Sequence, residues 1–310
     1  MDEDLKSGAA QMNLNDPYTV TYAGIYAICD RENRHVDIIE QSNCYGGSAW
    51  TMHHYASSPL IDKVISVGNT IRYRTRTGTE PLKLEASVAA AGIESVKVSG
   101  NEVAITYAGL GGGGVGATVC RARSKGVLRS EISESGGGRA AKGTITVPRY
   151  ERVLVGIDDT DNKEEGATWS MAHNIASAID RVEAKYLSHA LVQLFPVPAK
   201  TQNCVSTVLE FACIDNDSKQ SLFTDIKSAL EQYSVSSETG MVVLDDFDAS
   251  QLEDYSRECR TGILTKEYAL KTAGLKHVKI WLDGNGVIGA LAALPWYTRP
   301  NESVRLEVSG

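Results

Sequence analysis

The segment Asp158-Asp159-Thr160-Asp161 sets three carboxylates and a hydroxyl directly behind the apolar run Val153-Leu154-Val155-Gly156-Ile157. Clustered carboxylates repel one another, and a hard cation is what most easily holds them ionised together. Mg2+ does so by sitting between one or two carboxylates and the phosphates of a substrate. The position agrees with that chemistry, because α/β sheets usually keep their ligands beyond the carboxyl ends of strands. A plainer reading is a solvated acidic turn in which Asp161 or Asn162 caps the following helix.

Other residues extend the first reading. Gly166-Ala167-Thr168 opens a helix whose leading backbone N–H groups can receive a phosphate, so loop and helix start would face a Mg-nucleotide together. Lys200, in the loop that also carries Asn203, can neutralise transferring phosphoryl oxygens, or is an ordinary hairpin lysine. Gly284, Gly286 and Gly289 match G-x-G-x-x-G ahead of a helix. NAD binding is rejected, since about twenty residues remain for the rest of the βαβ unit and the only later acids are Glu302 and Glu307. Those glycines instead let the backbone approach a phosphate, an adenine ring or a neighbouring helix.

Four further features are ambiguous. The run from Gly109 to Gly116 lacks the Gly-Lys-Ser/Thr ending of a P-loop and reads as a cradle for a phosphate or acidic ligand, or as a hinge or lid. A second cluster follows at Gly136-Gly137-Gly138. His53-His54, near Cys44, fall on a segment taken as strand, where neighbours point to opposite faces, so packing or surface roles are preferred to metal. Arg257, Glu258 and Arg260 read as a phosphate contact or a surface ion-pair cluster.

The elements that must position these residues follow from pattern. Strands are predicted over 18–28, 36–39, 49–55, 71–75, 95–98, 103–107 and 144–147, and an Ala-rich helix over 84–92. A boundary at residues 148–151 separates a first domain, 17–149, from a second, 150–310, behind a flexible tail at 1–16. The second domain reads strand to 157, helix 168–182, strands 190–195 and 204–212, helix 219–233, strand 240–244, helix 265–273, strand 278–282 and a final apolar helix at 287–294. The class is α/β, with α+β the alternative, in two domains.

Composition narrows the function. With 31 Lys and Arg against 39 Asp and Glu, the net charge is −8, which argues against coating nucleic acid by bulk electrostatics. Local basic stripes remain at Arg72, Arg74 and Arg76, and at Arg121, Arg123, Lys125 and Arg129. They read as solvated faces, or else as phosphate or RNA contacts. The six cysteines form no C-x-x-C pair, and no apolar stretch has the length of a membrane span. A reducing, cytoplasmic setting is expected.

Taken in order, Val155-Gly156-Ile157-Asp158-Asp159-Thr160-Asp161, Thr168, Lys200-Thr201-Gln202-Asn203, Glu238-Thr239-Gly240 and Gly284 to Leu291 resemble the kinase-like catalytic domain of archaeal tRNA(Ile) agmatidine synthetase. The resemblance covers roughly half the chain, about residues 151–296. It implies ATP and Mg2+ as cofactors and phosphorylation of an oxygen that a nucleophile then displaces. By motif, Asp158, Asp159 and Asp161 would hold metal and phosphates, assisted by Thr160 and Thr168. Two departures stand out: Gly166-Ala167-Thr168-Trp169 lacks the synthetase's Cys-Thr-Thr pattern, and with no C-x-x-C pair in these residues its zinc ribbon and appended RNA-binding modules are not expected. A separate N-terminal domain with its own glycine run resembles the methanogenesis marker protein 11 family instead. The expectation is an ATP- and Mg2+-dependent phosphotransferase or ligase-like enzyme with an unassigned acceptor, the alternative a non-catalytic nucleotide-sensing or RNA-binding module.

Overall fold

The computed structural model describes residues 16–198, 200–201 and 203–306. The tail expected at 1–16 lies outside the described residues except for Asp16, and so does Gln202 of the Lys200 loop. The first half contains β1 (Gly24–Cys29), β2 (His35–Gln41), α1 (Tyr45–Tyr55), β3 (Ile61–Val67), β4 (Thr70–Arg76), β5 (Gly78–Thr79), β6 (Ala91–Ser99), β7 (Glu102–Leu110), α2 (Gly112–Val115), a π-helical turn at Gly116–Cys120 and β8 (Arg129–Ile132). A 19-residue strand, β9 (Ala140–Asp158), leads into α3 (Thr168–Ala178), β10 (Ala184–Gln193), β11 (Val205–Cys213), α4 (Asn216–Tyr233) and β12 (Gly240–Leu244). Then come α5 (Glu253–Thr261), α6 (Lys266–Leu275), β13 (Lys279–Asp283), α7 (Val287–Ala293) and α8 (Pro300–Ser303).

β9 organises the sheet. Its first part pairs antiparallel with β7 and β8, and at Arg149 and Tyr150 it runs parallel to β1. Its second part lies between β11 and β12, antiparallel to both. The strand order is β3-β4-β2-β1-β9-β7-β6-β5 at one end and β10-β11-β9-β12-β13 at the other. The class is mixed α/β, a large sheet with helices laid on it, and its pairing is antiparallel except for β1 with β9. The division placed at 149/150 falls inside β9, so the two halves share a strand.

The acidic loop follows an unbroken apolar run because both faces of β9 are covered there. Val153, Val155 and Ile157 pack under α3 and α4 with Leu209, Phe223 and Ile226. Leu154 points the other way, into the cluster of α5, α6 and α7 with Tyr255, Ala273 and Leu291. Gly156 shares Leu154's face, where a Cβ would lie 2.0 Å from the Ala290 carbonyl oxygen, so α7 rests directly on the strand. Full burial of each aliphatic side chain contributes about 1.5–3 kcal/mol, which anchors the strand end that carries the loop.

The pattern reading did not include β3, β8 or α5 and started β10 too late, and two segments take another form than expected. Residues 49–55 are helical, in α1, because Ser48, Thr51, His54 and Tyr55 are buried at helical spacing. The buried face is largely polar, so apolar periodicity did not reveal it. His54 turns inward and its Nδ1 accepts the Ala90 N–H at 3.3 Å, while His53 is exposed. Residues 84–92 form no helix; Glu85 and Ala89 make an isolated bridge, Ser87 has φ 66° and β6 begins at Ala91. A nine-residue alanine-rich stretch is too short to hold a helix without packing, and here β6 recruits its end.

The arginine stripes are also corrected. Arg72 is buried, not solvated, and donates to both Glu210 oxygens at 2.8 and 2.5 Å. Arg152 joins Glu210 at 2.9 Å to Asp37 at 2.8 Å, and Arg74 donates to Asp37 at 2.7 and 2.9 Å. This network ties the first half of the chain to the second, beside an apolar junction that includes Tyr26, Ile39, Leu187 and Ala212. Arg76 alone of the three remains at the surface, against Asp62 at 3.1 Å. Arg121 is likewise buried, paired with Glu40 at 2.7 and 2.8 Å, with its guanidinium 4.3 Å from the Tyr107 ring centre. Among the described residues no helix is long and apolar enough to cross a membrane, and all six cysteines are free.

Candidate functional site

Asp158 is the last residue of β9, paired with Gly240 of β12. The chain then turns sharply: Asp159 takes φ 61°, in the left-handed region, and its N–H donates to Asp158 Oδ1 at 2.9 Å. Asn and Asp tolerate that conformation better than other non-glycine residues. The turn is fixed from behind. Thr239 Oγ1 donates to the Asp159 carbonyl at 3.1 Å, and the Thr160 carbonyl accepts from Val235 N–H at 3.0 Å and from Ser234 Oγ at 3.1 Å.

Thr160 is fully buried and points to Thr168, the first residue of α3. The Thr168 hydroxyl accepts from Thr160 N–H at 3.1 Å and from Thr160 Oγ1 at 3.0 Å, and donates to Asp161 Oδ1 at 3.0 Å. One hydroxyl thus fastens the loop to the helix start and orients a carboxylate. Asn162 folds the next segment by accepting from the N–H groups of Glu164 and Glu165 at 2.8 and 3.0 Å. Gly166, at φ 95°, closes it where a Cβ would come 2.8 Å from the Asp161 Cβ.

The glycines of the C-terminal motif pack rather than form a free loop. A Cβ on Gly284 would lie 2.1 Å from the Glu238 carbonyl carbon, and one on Gly286 2.5 Å from the Asp158 carbonyl oxygen. On Gly289 it would lie 1.9 Å from Asp158 Oδ2. The close approaches seen are to the loop at Glu238 and the strand end at Asp158, not to a neighbouring helix, and at Gly289 α7 is brought against a carboxylate of the acidic loop.

These pieces enclose a cavity of about 830 Å3. Asp158, Asp159, Asp161, Gly166, Thr168, Lys200, Asn203, Gly286 and Gly289 line it. Thr160 lies behind the wall and Gly284 is off it, against Glu238. Apolar side chains complete the lining, Leu194, Phe195, Ile263, Leu264 and Ile288, together with the exposed Trp169 of α3. Sequence reading missed that apolar lining: its residues come from separated segments, and each resembles an ordinary core residue until folded. Arg260 is not a cavity residue. It is buried, stacks 4.0 Å over the Trp296 ring and donates to backbone carbonyls of Gln193 and Arg305 at 3.1 and 2.6 Å. Arg257 pairs with Asp254 at 3.1 Å on the surface.

The electrostatics are those of crowded acids. Burial, then the charge of Asp159, pushes the Asp158 carboxyl well above the usual carboxylate range. Burial, then Asp161 and Glu238, raises Asp159 to about 6. Among the described residues no three His, Cys, Asp or Glu side chains converge closely enough to hold a metal ion by themselves. Mg2+ needs only one or two carboxylates when phosphate oxygens and water complete its shell. Mutually repelling acids beside a helix start are of the chemical type that such a donor set requires.

Residues 154–281 match the family model described as TiaS TCKD domain. Solved structures similar to this chain include a complex of TiaS with its isoleucine tRNA and ATP, 25% identical with a TM-score of 0.43 over 46% of this chain and 36% of that one. A complex of TiaS with the same tRNA, AMPCPP and agmatine is 24% identical, with a TM-score of 0.41 over 46% and 36% of the two chains. Apo TiaS, described as a tRNA agmatidine synthetase, is 23% identical, with a TM-score of 0.41 over 46% and 35%. The match thus spans about a third of the length of these TiaS chains. A curated relative, "Uncharacterized protein MJ0921" of Methanocaldococcus jannaschii, is 41% identical over 283 residues, which are 89% of this chain and 94% of that protein. The chain belongs to the family of MJ0921, and its second half carries a TiaS-like TCKD domain.

Proposed function

We propose that the protein binds Mg-ATP in this cavity and is an ATP-dependent phosphotransferase or ligase-like enzyme. The observation that carries the reading is one cavity lined both by three carboxylates with a helix start and by apolar side chains of a kind that suits an adenine ring. The match of residues 154–281 to the TiaS TCKD model supports it. In this reading Asp158, Asp159 and Asp161 hold the cation and phosphates. Thr168, braced by Thr160, orients Asp161, while Lys200 and Asn203 reach the phosphates from the facing loop. The cation, when bound, offsets phosphoryl charge. The work of the protein is positioning and electrostatic stabilisation, as in other phosphoryl transfers.

The reaction proposed moves the terminal phosphoryl group of ATP to an amide-like or carbonyl oxygen, releasing ADP. Attack by a nucleophile then expels that oxygen with the phosphate. A small acceptor is favoured over RNA bound by bulk charge, because the net charge is −8 and Arg72 and Arg74 are neutralised internally. The proposal includes the division into 17–149 and 150–310, a cytoplasmic location and membership of the methanogenesis marker protein 11 family, with the activity serving methanogen metabolism.

Isothermal titration with Mg-ATP tests the site: saturable binding is expected in the wild type and none in Asp158→Ala plus Asp161→Ala. Undiminished binding in that double variant would sink the assignment. Incubation with γ-labelled ATP and cell extract then separates enzyme from sensor. Transfer of label to a defined acceptor supports turnover, and binding without transfer supports a nucleotide-sensing module.

A further inference from the structure

The two glycine clusters of the first half, far apart in sequence, meet at one cavity of about 660 Å3, separate from the carboxylate site. Gly111, at φ 55°, turns the chain out of β7 into α2, and its N–H donates to the Arg139 carbonyl at 2.9 Å, which joins the clusters. Packing accounts for some of the glycines. A Cβ on Gly109 would lie 2.5 Å from the Gly113 carbonyl carbon, and one on Gly113 2.8 Å from Trp50 Cη2. Packing does not account for Gly112 and Gly138. Both line the cavity, neither has a positive φ, and a Cβ on either would meet nothing within 4 Å. No neighbouring atom requires glycine at either position.

The remaining walls are Trp50, Ala86, Ser87, Ala90 and Leu110, with no charged side chain among them. The Trp50 indole is 41% exposed and braced by the His54 ring, 4.1 Å away between centroids. A wall without a cation is wrong for phosphate. A flat, half-exposed indole opposite bare peptide backbone suits an uncharged planar ring whose polar edge can pair with peptide N–H and C=O groups.

We propose that this cavity is a nucleobase-binding site, in which the base stacks on Trp50 and its edge faces the backbone at Gly112 and Gly138. The base comes either from a free nucleoside or from a single-stranded RNA. The site does not rest on the Mg-ATP reading, since no residue is shared between the two cavities.

The test follows tryptophan fluorescence of the full chain titrated with adenosine, guanosine, cytidine and uridine, and in parallel with a ten-nucleotide single-stranded RNA of mixed sequence. Saturable quenching is expected. It should vanish in Trp50→Phe, persist in Asp158→Ala plus Asp161→Ala, and weaken at least about tenfold in Gly112→Leu, whose side chain would fill the cavity. Gly138→Leu repeats the block from the other wall should Gly112→Leu fail to fold. Quenching by nucleosides identifies a free base, and quenching by the RNA alone identifies a strand. The proposal is overturned if no probe gives quenching sensitive to either leucine variant. It is also overturned if light scattering shows a dimer that Trp50→Ala dissociates, because a second copy would then cover the cavity.

Discussion

Replacing Gly289 with alanine places a methyl group 1.9 Å from Asp158 Oδ2 and 2.7 Å from Leu194 Cδ1. An ordinary contact is 3.4 Å or more, so the carboxyl group must retreat by about 1.5 Å or α7 must lift from the sheet. The carboxyl is the softer partner, held mainly by the Asp159 N–H at 2.9 Å. The stability cost therefore sits near the low end of the ~1–3 kcal/mol typical of overpacking, a fall of roughly 2–4 °C in Tm. Binding should fall more clearly than stability, since the displaced carboxyl group no longer sits where the proposed site needs it. Thermal unfolding and titration with Mg-ATP measure both. Gly274→Ala, with nothing within 4 Å of the new methyl group, is the control: inside α6 it should raise stability by at most about 1 kcal/mol and leave binding unchanged. Wild-type affinity in a folded Gly289→Ala protein would refute the claim that Asp158 must sit where α7 holds it.

Three further outcomes are expected. Thr168→Val removes the hydroxyl shared by Thr160 and Asp161 and should cost about 1–3 kcal/mol for the stranded Thr160 groups, with weaker Mg-ATP binding by calorimetry; unchanged values would show the hub is dispensable. Glu210→Gln takes from Arg72 its carboxylate partner and leaves Arg152 with Asp37 alone, and should lower denaturant stability by about 3–5 kcal/mol. Burial opposes ionisation of Glu210, yet Arg72 and Arg152 outweigh it and hold its carboxyl below the usual range, so the wild-type advantage is present above the ordinary carboxylate pKa and is lost as pH falls through the folded value. His189, hydrogen-bonded with Thr207, is lowered from 6.5 to about 4 by burial and then by His173. Its neutral ring favours folding fully above pH 6.5, and that contribution, about 3 kcal/mol, is lost as pH falls from 6.5 to 4. His189→Gln should flatten the stability–pH curve in that window, measured by urea unfolding against the wild type.

Much of the second half was legible because its signals are local. The apolar run before Asp158 marks a strand covered on both faces, most helices and strands after Thr168 follow their own periodicities, although α5 was not anticipated, and three acids at a strand end stand out whatever surrounds them. The first half hid its elements where burial and polarity part company: α1 buries Ser48, Thr51 and His54, so its inner face looks solvated in the sequence. Likewise the arginines of β4 carry the pattern of an exposed stripe until Glu210 and Asp37, from β11 and β2, neutralise them. Adjacency alone already put Asp158, Asp159 and Asp161 in one short segment behind a strand, while their turn is held by the distant Thr239, Val235 and Ser234. Only the tertiary structure decided what they face. The apolar lining from Leu194 to Ile288, the approach of Gly289 to Asp158, and the meeting of Gly111 with Arg139 all join residues whose separation in the chain leaves no periodic trace. Such contacts follow from how β9 threads two sets of strands, a property of the whole sheet that no single segment encodes.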